Sequence, residues 1–241
     1  MDRLTTLVER FHLTVTAAPL EQSNLIAKAS EAGGPEGILF YTQGSCPQSC
    51  SGEVLFSARV AWSGQINPLM AALPDVVEMS LAEHADTLAL VQVMQQEVEG
   101  RRCGAQTVVN RLAEALIVRL LRLQIERGTS EVGLLAGMAD PRLSRAIVSI
   151  HDHPDRQWSN ADLAEIAGLS LSRFSELFAQ VVGETPMGYL RRWRLILARQ
   201  DVERGDRVDA VARRYGYSSA ESFTRAFRRA YGLAPTALRA A

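Results

Sequence analysis

The most regular pattern of apolar and polar positions lies in the last third of the chain, where it predicts a helix, a tight turn and a second helix. In residues 163–178, apolar residues recur at helical spacing on either side of Gly168. Glycine can turn the chain sharply there because it adopts positive φ without steric cost. Ser170 is placed to cap the second helix through its hydroxyl. Phe174 and Phe178 supply the buried face of that helix, and its opposite face is left exposed.

The same pattern occurs a second time near the end of the chain. The matching positions, in order, are Gly168, Ser170, Phe174, Phe178, Gly183 and Pro186 in the first copy, and Gly216, Ser218, Phe223, Phe227, Gly232 and Pro235 in the second. The second copy carries one extra residue in its turn. Two unrelated core helices have no reason to repeat all these positions, so the pattern predicts a duplicated helix-turn-helix, a unit that can place one helix in a DNA major groove.

A long helix is predicted over Pro186–Val202, between the two copies. A single rigid helix would fix the separation of the two units. It would let their exposed helices enter successive major grooves, which lie about 34 Å apart on one face of DNA.

Shorter apolar runs in residues 1–79 predict a small β region. The runs His12–Thr16, Gly37–Thr42 and Glu53–Trp62 are separated by clusters of Gly, Pro and Ser, and Met1–Phe11 is predicted as a short helix. Three strands are few for a complete sandwich or barrel. The sheet edges therefore need to be covered by helices or by a second subunit.

Two long helices are predicted to follow the β region. Ser80–Glu83 has the capping-box pattern and opens a helix to about Glu99, and a second helix spans Ala105–Arg127. The apolar face of the second helix is wide, so this helix packs on more than one partner. A dimer contact and a core within one chain explain that width equally well.

The predicted fold class is α+β, with a small β region and two long helices followed by an all-α domain with two helix-turn-helix units. The predicted boundaries are 1–79 for the β region, 80–128 for the paired helices, 129–139 for a linker and 140–241 for the all-α domain. A helix start is predicted at Asp140-Pro141, because proline is favoured at the first helical position.

Charge is distributed unevenly between the two halves. Residues 151–241 hold 14 arginines, no lysine and 11 acidic residues, a net charge of +3, whereas residues 1–150 have a net charge of −4. A basic surface suits contact with phosphates, although a solvated charged surface would have the same sign. The sequence also predicts a cytoplasmic protein, because no apolar run approaches the roughly 20 residues that span a bilayer and the N-terminus lacks the apolar core of a signal peptide.

The cysteines and histidines give weaker indications. Cys46 and Cys50 lie in a predicted loop at a spacing that differs from the C-x2-C of zinc and thioredoxin-like sites, and no histidine is near them in sequence. Two close, exposed thiols could form a redox switch or be incidental. His151 and His153, at a predicted helix end, are expected to be exposed and to interact with the helix dipole. The sequence predicts no metal site and no cofactor.

Residues 146–239 resemble the DNA-binding domain of AraC-type transcription regulators. The resemblance implies a seven-helix domain with two DNA-reading helices, used mostly to activate transcription. The residues that carry it are Trp158, Leu163, Ala164, Ala167, Ser170, Phe174, Phe178, Gly183, Pro186, Tyr189, Arg194 and Ala198 in the first unit, and Val211, Ala212, Gly216, Tyr217, Ser219, Phe223, Arg225, Phe227, Gly232 and Pro235 in the second.

The N-terminal part is similar to the cupin-containing sensor domain of one AraC-type subfamily. The similarity rests on Gly37–Phe40, on Pro68–Pro74 and on the paired helices. The stretch between Gly44 and Gly52 is too short for the middle strands of a full cupin, and the metal-binding histidines of metal-dependent cupins are absent. The resemblance therefore implies a shortened, metal-free sensor domain.

Candidate DNA contacts follow from helical periodicity and from the resemblance. The exposed positions of the first reading helix, predicted over Leu171–Val181, are Ser172, Arg173, Ser175 and Glu176. The resemblance implies that Ala220, Glu221, Thr224 and Arg225 face the bases from the second reading helix, predicted over Ser219–Ala230. Arg191, Arg192, Arg228 and Arg229 are candidate phosphate contacts, and Arg194, Trp158 and Trp193 are expected to be structural.

Two of these side chains have alternative roles. Glu176 could accept a hydrogen bond from cytosine N4 or orient a nearby arginine through an ion pair. Arg225 could contact guanine O6 and N7 bidentately, contact a phosphate or form a structural salt bridge.

The leading hypothesis is that the protein is a sequence-specific DNA-binding transcription regulator and not an enzyme. The resemblance implies that it activates transcription. Its expected partners are double-stranded promoter DNA and RNA polymerase, with a possible homodimer, no membrane and an unknown small-molecule or redox signal. A redox-responsive regulator or a thiol enzyme that uses Cys46 and Cys50 is the alternative, although no general base is evident beside those thiols. A third possibility is a regulator whose sensor half no longer binds anything.

Overall fold

The computed structural model of the chain describes residues 4–46, 53–62, 67–100, 102–128 and 132–240. The chain divides into two compact units, one spanning Leu7–Thr129 and the other spanning Ser130–Ala241 together with Met1–Thr6. The division falls at the start of the segment that the sequence predicts as a linker.

The first unit contains a five-stranded antiparallel sheet, whose strands are β1 (Leu13–Ala17), β2 (Leu25–Ala29), β3 (Pro35–Tyr41), β4 (Val54–Trp62) and β5 (Val76–Ser80). Their order in the sheet is β1-β4-β2-β3-β5. Two of its strands are not predicted from the sequence. The central strand β2 is almost entirely buried, so it lacks the alternation of apolar and polar residues that marks a half-exposed strand.

Four α-helices precede, interrupt or follow these strands along the described part of the chain. They are α1 (Thr5–Phe11), α2 (Pro68–Ala72), α3 (Ala85–Gly100) and α4 (Ala105–Arg127). The bounds of α4 are those predicted, and α4 packs against α3, β1 and β5. Packing within one chain therefore accounts for its wide apolar face, and dimerisation remains a proposal.

The capping box predicted at Ser80 is wrong. Ser80 is the last residue of β5, and its side chain makes no capping hydrogen bond. A single 3₁₀ turn, Leu81–Glu83, follows it, and α3 begins only at Ala85. In β5 apolar and exposed positions alternate, with Val77 and Met79 buried, and this alternation continues the strand to Ser80.

Seven α-helices form the second unit within the described residues. They are α5 (Leu134–Ala139), α6 (Leu143–Asp152), α7 (Asn160–Ala167), α8 (Leu171–Val182), α9 (Pro186–Glu203), α10 (Val208–Arg214) and α11 (Ala220–Tyr231). A 3₁₀ turn, Pro235–Ala240, follows α11 and packs on α9 and α11.

The segment predicted as a linker forms α5, which is a packed helix. Its glycine, Gly137, is buried, and a Cβ added there would lie 2.7 Å from Ile147 Cδ1 and 2.8 Å from Val182 Cγ2. The glycine therefore permits close approach of α5 to α6 and α8 and does not mark a loop. The predicted helix start at Asp140-Pro141 is also displaced, because these residues form the turn between α5 and α6.

Candidate nucleic-acid interface

The first helix-turn-helix consists of α7 and α8, and local signals fix its turn. Gly168 ends α7 with φ of +70°. The hydroxyl of Ser170 accepts a hydrogen bond from the Arg173 backbone N–H and caps α8, as predicted. Phe174 and Phe178 are fully buried, so the opposite side of α8, the first reading helix, faces away from the core.

The second helix-turn-helix consists of α10 and α11, and it repeats the first with one shift. Gly216 has φ of +75°, but the capping residue is Ser219 rather than Ser218. The Ser219 hydroxyl accepts a hydrogen bond from the Ser222 backbone N–H at 3.1 Å. Phe223 is therefore four residues from its cap, as Phe174 is from Ser170, and the extra residue lies entirely in the turn before α11, the second reading helix.

The predicted base-reading side chains of α8 lie on its accessible side. Ser172, Arg173 and Glu176 are exposed, and Ser175 is half-buried. Arg173 and Glu176 form an ion pair with 3.2 Å between Nη1 and Oε2. In the free protein Glu176 thus orients an arginine, which is one of its two predicted roles.

The predicted base-reading side chains of α11 are also accessible. Glu221 and Arg225 are exposed, and Ala220 and Thr224 are half-buried. A hydrogen bond from the Ser219 side chain lowers the pKa of Glu221. Among the described residues, the Arg225 guanidinium makes no ion pair, which leaves it available to a ligand.

The four arginines predicted to contact phosphates are all exposed, but they differ in their partners. Arg192 donates two hydrogen bonds to the Glu184 carboxylate and lies 5.1 Å from the centroid of the Tyr189 ring. Arg191, Arg228 and Arg229 make no ion pair in the described part of the chain. Three of the four are therefore free to contact an anion without breaking an existing pair.

Comparison with known proteins agrees with this geometry. A family described as helix-turn-helix domain matches residues 163–241, and one described as cupin matches residues 12–126. A putative AraC-like transcription regulator of Streptomyces lividans is 35% identical over 171 residues, which cover 69% of this chain and 56% of that protein. This chain carries an AraC-type helix-turn-helix domain.

Two further proteins are similar to this chain. The RCS-specific HTH-type transcriptional activator RclR of Escherichia coli is 29% identical over 184 residues, which cover 76% of this chain and 58% of RclR. The solved DNA-binding domain of AdpA, in complex with a target DNA, is 31% identical, with coverage of 42% of this chain and 91% of that chain and a TM-score of 0.39. This chain spans a little over half the length of the Streptomyces lividans regulator and of RclR.

The named relatives are transcription regulators, in agreement with the prediction that this chain is not an enzyme. No helix in the ranges that the structure describes is long and apolar enough to cross a membrane.

Arg194 joins the two reading units of the AraC-type domain, as expected for a structural arginine. Its Nε donates to the Pro154 carbonyl at 2.6 Å, and its Nη2 donates to the Arg156 carbonyl at 2.7 Å. A Cβ added at Gly216 would lie 3.3 Å from its Nη1. Arg194 lies on α9, the helix between the two helix-turn-helix units, which we call the linker helix. Its guanidinium thus donates to the segment before α7 and lies close to the turn before α11.

A buried carboxylate fixes α9 against α10, and sequence reasoning missed it. Asp201 accepts a hydrogen bond from the Tyr215 hydroxyl at 2.8 Å and forms ion pairs with Arg204 and Arg214. Arg214 also pairs with Asp206 at 2.7 Å, and its hydrogen bonds to the two aspartates raise its pKa. An acidic residue on the apolar face of a helix was the available signal, because an aspartate there needs a partner.

His151 is buried, which corrects the prediction of an exposed capping histidine. Its Nε2 lies 2.5 Å from the Tyr189 hydroxyl, and its ring centroid lies 4.3 Å from that of Trp193. Burial, with a smaller contribution from the Arg192 charge, lowers the pKa of His151 to about 3. The end of α6 is thus covered by α9, and Trp158 and Trp193 lie in the core as expected.

The cysteine prediction is corrected for one residue. Cys46 is buried and disulfide-bonded, so it is not an exposed thiol. Cys50 lies outside the described residues. Cys103 is exposed and free. Within the described ranges, no group of three or more His, Cys, Asp or Glu side chains is placed to hold a metal ion.

Proposed function

We propose that this chain binds double-stranded DNA sequence-specifically through α8 and α11 and activates transcription. The observation that carries the proposal is the duplicated helix-turn-helix, in which Ser170 and Ser219 cap the two reading helices in the same register. A reading helix held at its N-terminus by a cap, with its aromatic face buried, presents its remaining side to the major groove.

The roles of the reading residues follow from their chemistry. Arg225 is exposed and lies within the second reading helix. Its guanidinium suits bidentate contact with guanine O6 and N7, worth about 1–3 kcal/mol of discrimination. Glu221 and Thr224 contact neighbouring bases in the same major groove. Ser172, Ser175 and Glu176 of α8 contact bases in the adjacent major groove, with weaker discrimination. Glu176 must leave Arg173 if it is to accept a hydrogen bond from cytosine N4.

Arginines outside the base-reading positions supply affinity. Arg191, Arg228 and Arg229 contact phosphates, and Arg192 does so when it leaves Glu184. Each phosphate neutralised contributes about 0.9 to the slope of log K against log salt. These contacts position the protein and carry no sequence information.

The N-terminal cupin-like unit sets the response of the regulator. We propose that it forms a homodimer or receives a signal, and that the DNA-bound protein contacts RNA polymerase. The activator role draws on the resemblance to RclR, which is named as an activator. Action in the cytoplasm, where promoter DNA lies, is part of the same proposal.

Selection of DNA sites by the purified full chain tests the proposal. Random duplexes are selected at moderate salt, and affinities are measured by gel shift. We expect a site with two conserved segments about one helical turn apart, because each unit enters its own groove. Equal affinity for selected and random duplexes at the same salt would exclude sequence-specific binding.

A pair of variants then tests the role of Arg225 on the selected site. Arg225→Ala should weaken binding by about 1–3 kcal/mol and relax the preference at one base pair. Arg122→Ala is the matched control, because Arg122 is an exposed arginine of α4 in the first unit. A uniform loss of affinity for all sequences would instead assign Arg225 to a phosphate.

A redox-responsive regulator is the second candidate, and the observation that favours it is the disulfide at Cys46. Reduction would break the disulfide at Cys46, a residue that is buried in the first unit. The test compares DNA affinity before and after dithiothreitol treatment in the full chain and in Cys46→Ser. Equal DNA affinities in all four samples would exclude the hypothesis that Cys46 senses a redox signal.

A further inference from the structure

The first residue of α8, Leu171, is 51% exposed. Single exposed apolar residues are ordinary on protein surfaces, so the exposure of Leu171 does not by itself indicate a binding contact. The position of this one is informative. Leu171 lies one helical turn before Ser175, so its side chain neighbours that predicted base-reading residue on the surface of α8.

The register of the two caps relates Leu171 to a residue of the second reading helix. Both capping serines accept a hydrogen bond from the backbone N–H three residues later, so positions can be counted from the caps. Counted in this way, Leu171, Ser172, Ser175 and Glu176 of α8 correspond to Ala220, Glu221, Thr224 and Arg225 of α11. The four residues of α11 are the group that the resemblance implies to face the bases. By this correspondence, Leu171 lies on the base-facing side of α8 together with Ser172, Ser175 and Glu176.

We propose that Leu171 is a specificity-determining residue that contacts the C5-methyl group of a thymine in the major groove read by α8. The inference rests on the proposed function. N-terminal residues of a recognition helix contact base edges. Thymine is the base that presents a methyl group in the major groove, and apolar side chains recognise it. A leucine in this place needs an apolar partner when the groove excludes water, and a thymine methyl supplies one.

Replacement of single thymines by deoxyuridine measures this contact, because deoxyuridine pairs as thymine does and lacks only the methyl group. Each thymine of the segment read by α8 is replaced in turn in the selected site. The ratio of affinities for the two duplexes is measured with the full chain as wild type, Leu171→Ser, Leu171→Met and Val132→Ala. Val132 is the matched control, because it is an exposed apolar residue of the same unit outside both reading helices.

We expect one thymine at which loss of the methyl group weakens wild-type binding by about fourfold, the value for burial of one methylene-sized group. The ratio should fall to about one in Leu171→Ser and persist in Leu171→Met and Val132→Ala. Since each ratio is taken within one variant, a smaller folded fraction lowers both affinities equally and leaves the ratio unchanged.

Two results overturn the inference without touching the proposed function. One is a selected site at which no thymine replacement changes wild-type affinity. The other is a methyl dependence that Leu171→Ser retains in full. Failure to select any preferred DNA sequence is a different result, because it removes the proposed function and this contact with it.

Discussion

Removal of the Asp201 carboxylate tests whether the linker helix α9 is fixed against the second helix-turn-helix. Asp201 is 2% exposed and is the shared acceptor for Tyr215, Arg204 and Arg214. The substitution Asp201→Ala removes all three interactions at once. It leaves the Tyr215 hydroxyl without this acceptor, in a residue that is itself 2% exposed.

The expected magnitude follows from the burial of each partner. A buried hydroxyl that loses its partner costs about 1–3 kcal/mol. The Arg204 and Arg214 side chains are 56% and 47% exposed, so water can hydrate them again, and each lost ion pair is worth about 0–1 kcal/mol. Arg214 also keeps its pair with Asp206. Together these contributions predict a loss of about 3 kcal/mol in the free energy of opening this region.

Hydrogen exchange of the full chain, followed by mass spectrometry, reports this loss at α10 and at the end of α9. Asp206→Ala is the matched control, because it removes only one ion pair with a half-exposed arginine and should cost about 1 kcal/mol or less. Asp201→Asn should fall between the two, since it retains an acceptor for Tyr215 without the charge. Equal protection of α10 in Asp201→Ala and Asp206→Ala would show that Asp201 does not fix α9 against α10.

Three other predictions concern separate parts of the second unit. His151 has a folded pKa of about 3, below the usual 6.5, so the unfolded chain binds the proton more readily. Its stabilising contribution is full above pH 6.5 and is lost as the pH falls towards 3. Between pH 7 and pH 5 the wild type should therefore lose about 2 kcal/mol more of its unfolding free energy than His151→Gln, as measured by urea denaturation, whereas His153→Gln should follow the wild type. Gly137→Ala should destabilise the unit by about 1–3 kcal/mol through overpacking, and Gly133→Ala, where a Cβ meets nothing within 4 Å, should not; equal thermal shifts would contradict this. Arg228→Ala should reduce the salt slope of DNA binding by about 0.9 without changing the preferred sequence, and an unchanged slope would remove it as a phosphate contact.

The helix-turn-helix units could be predicted from the sequence because their signals are local. Gly168 must adopt positive φ, Ser170 reaches a backbone N–H three residues away, and Phe174 and Phe178 are one turn apart. None of these signals needs information from a distant part of the chain. The family that matches residues 163–241 agrees with this part of the prediction.

Other features depend on tertiary packing and could not be predicted in this way. The central strand β2 is buried on both faces and resembles any short apolar run. The sequence places Gly137 in a linker, because only its contacts with Ile147 and Val182 reveal close helix packing. The burial of His151 under α9 involves residues 38 positions apart, and no local pattern encodes such a contact.

In the proposed mode of binding, a stiff linker helix makes α8 and α11 read successive major grooves on one face of DNA. The most direct measurement is gel-shift affinity for the selected site with five base pairs inserted between its two segments. Half a helical turn moves the second segment to the opposite face of the duplex, so the contacts of one reading helix should be lost. We expect affinity to fall by at least about fivefold, the lower value for loss of one bidentate base contact. Unchanged affinity for the inserted site would contradict this mode of binding.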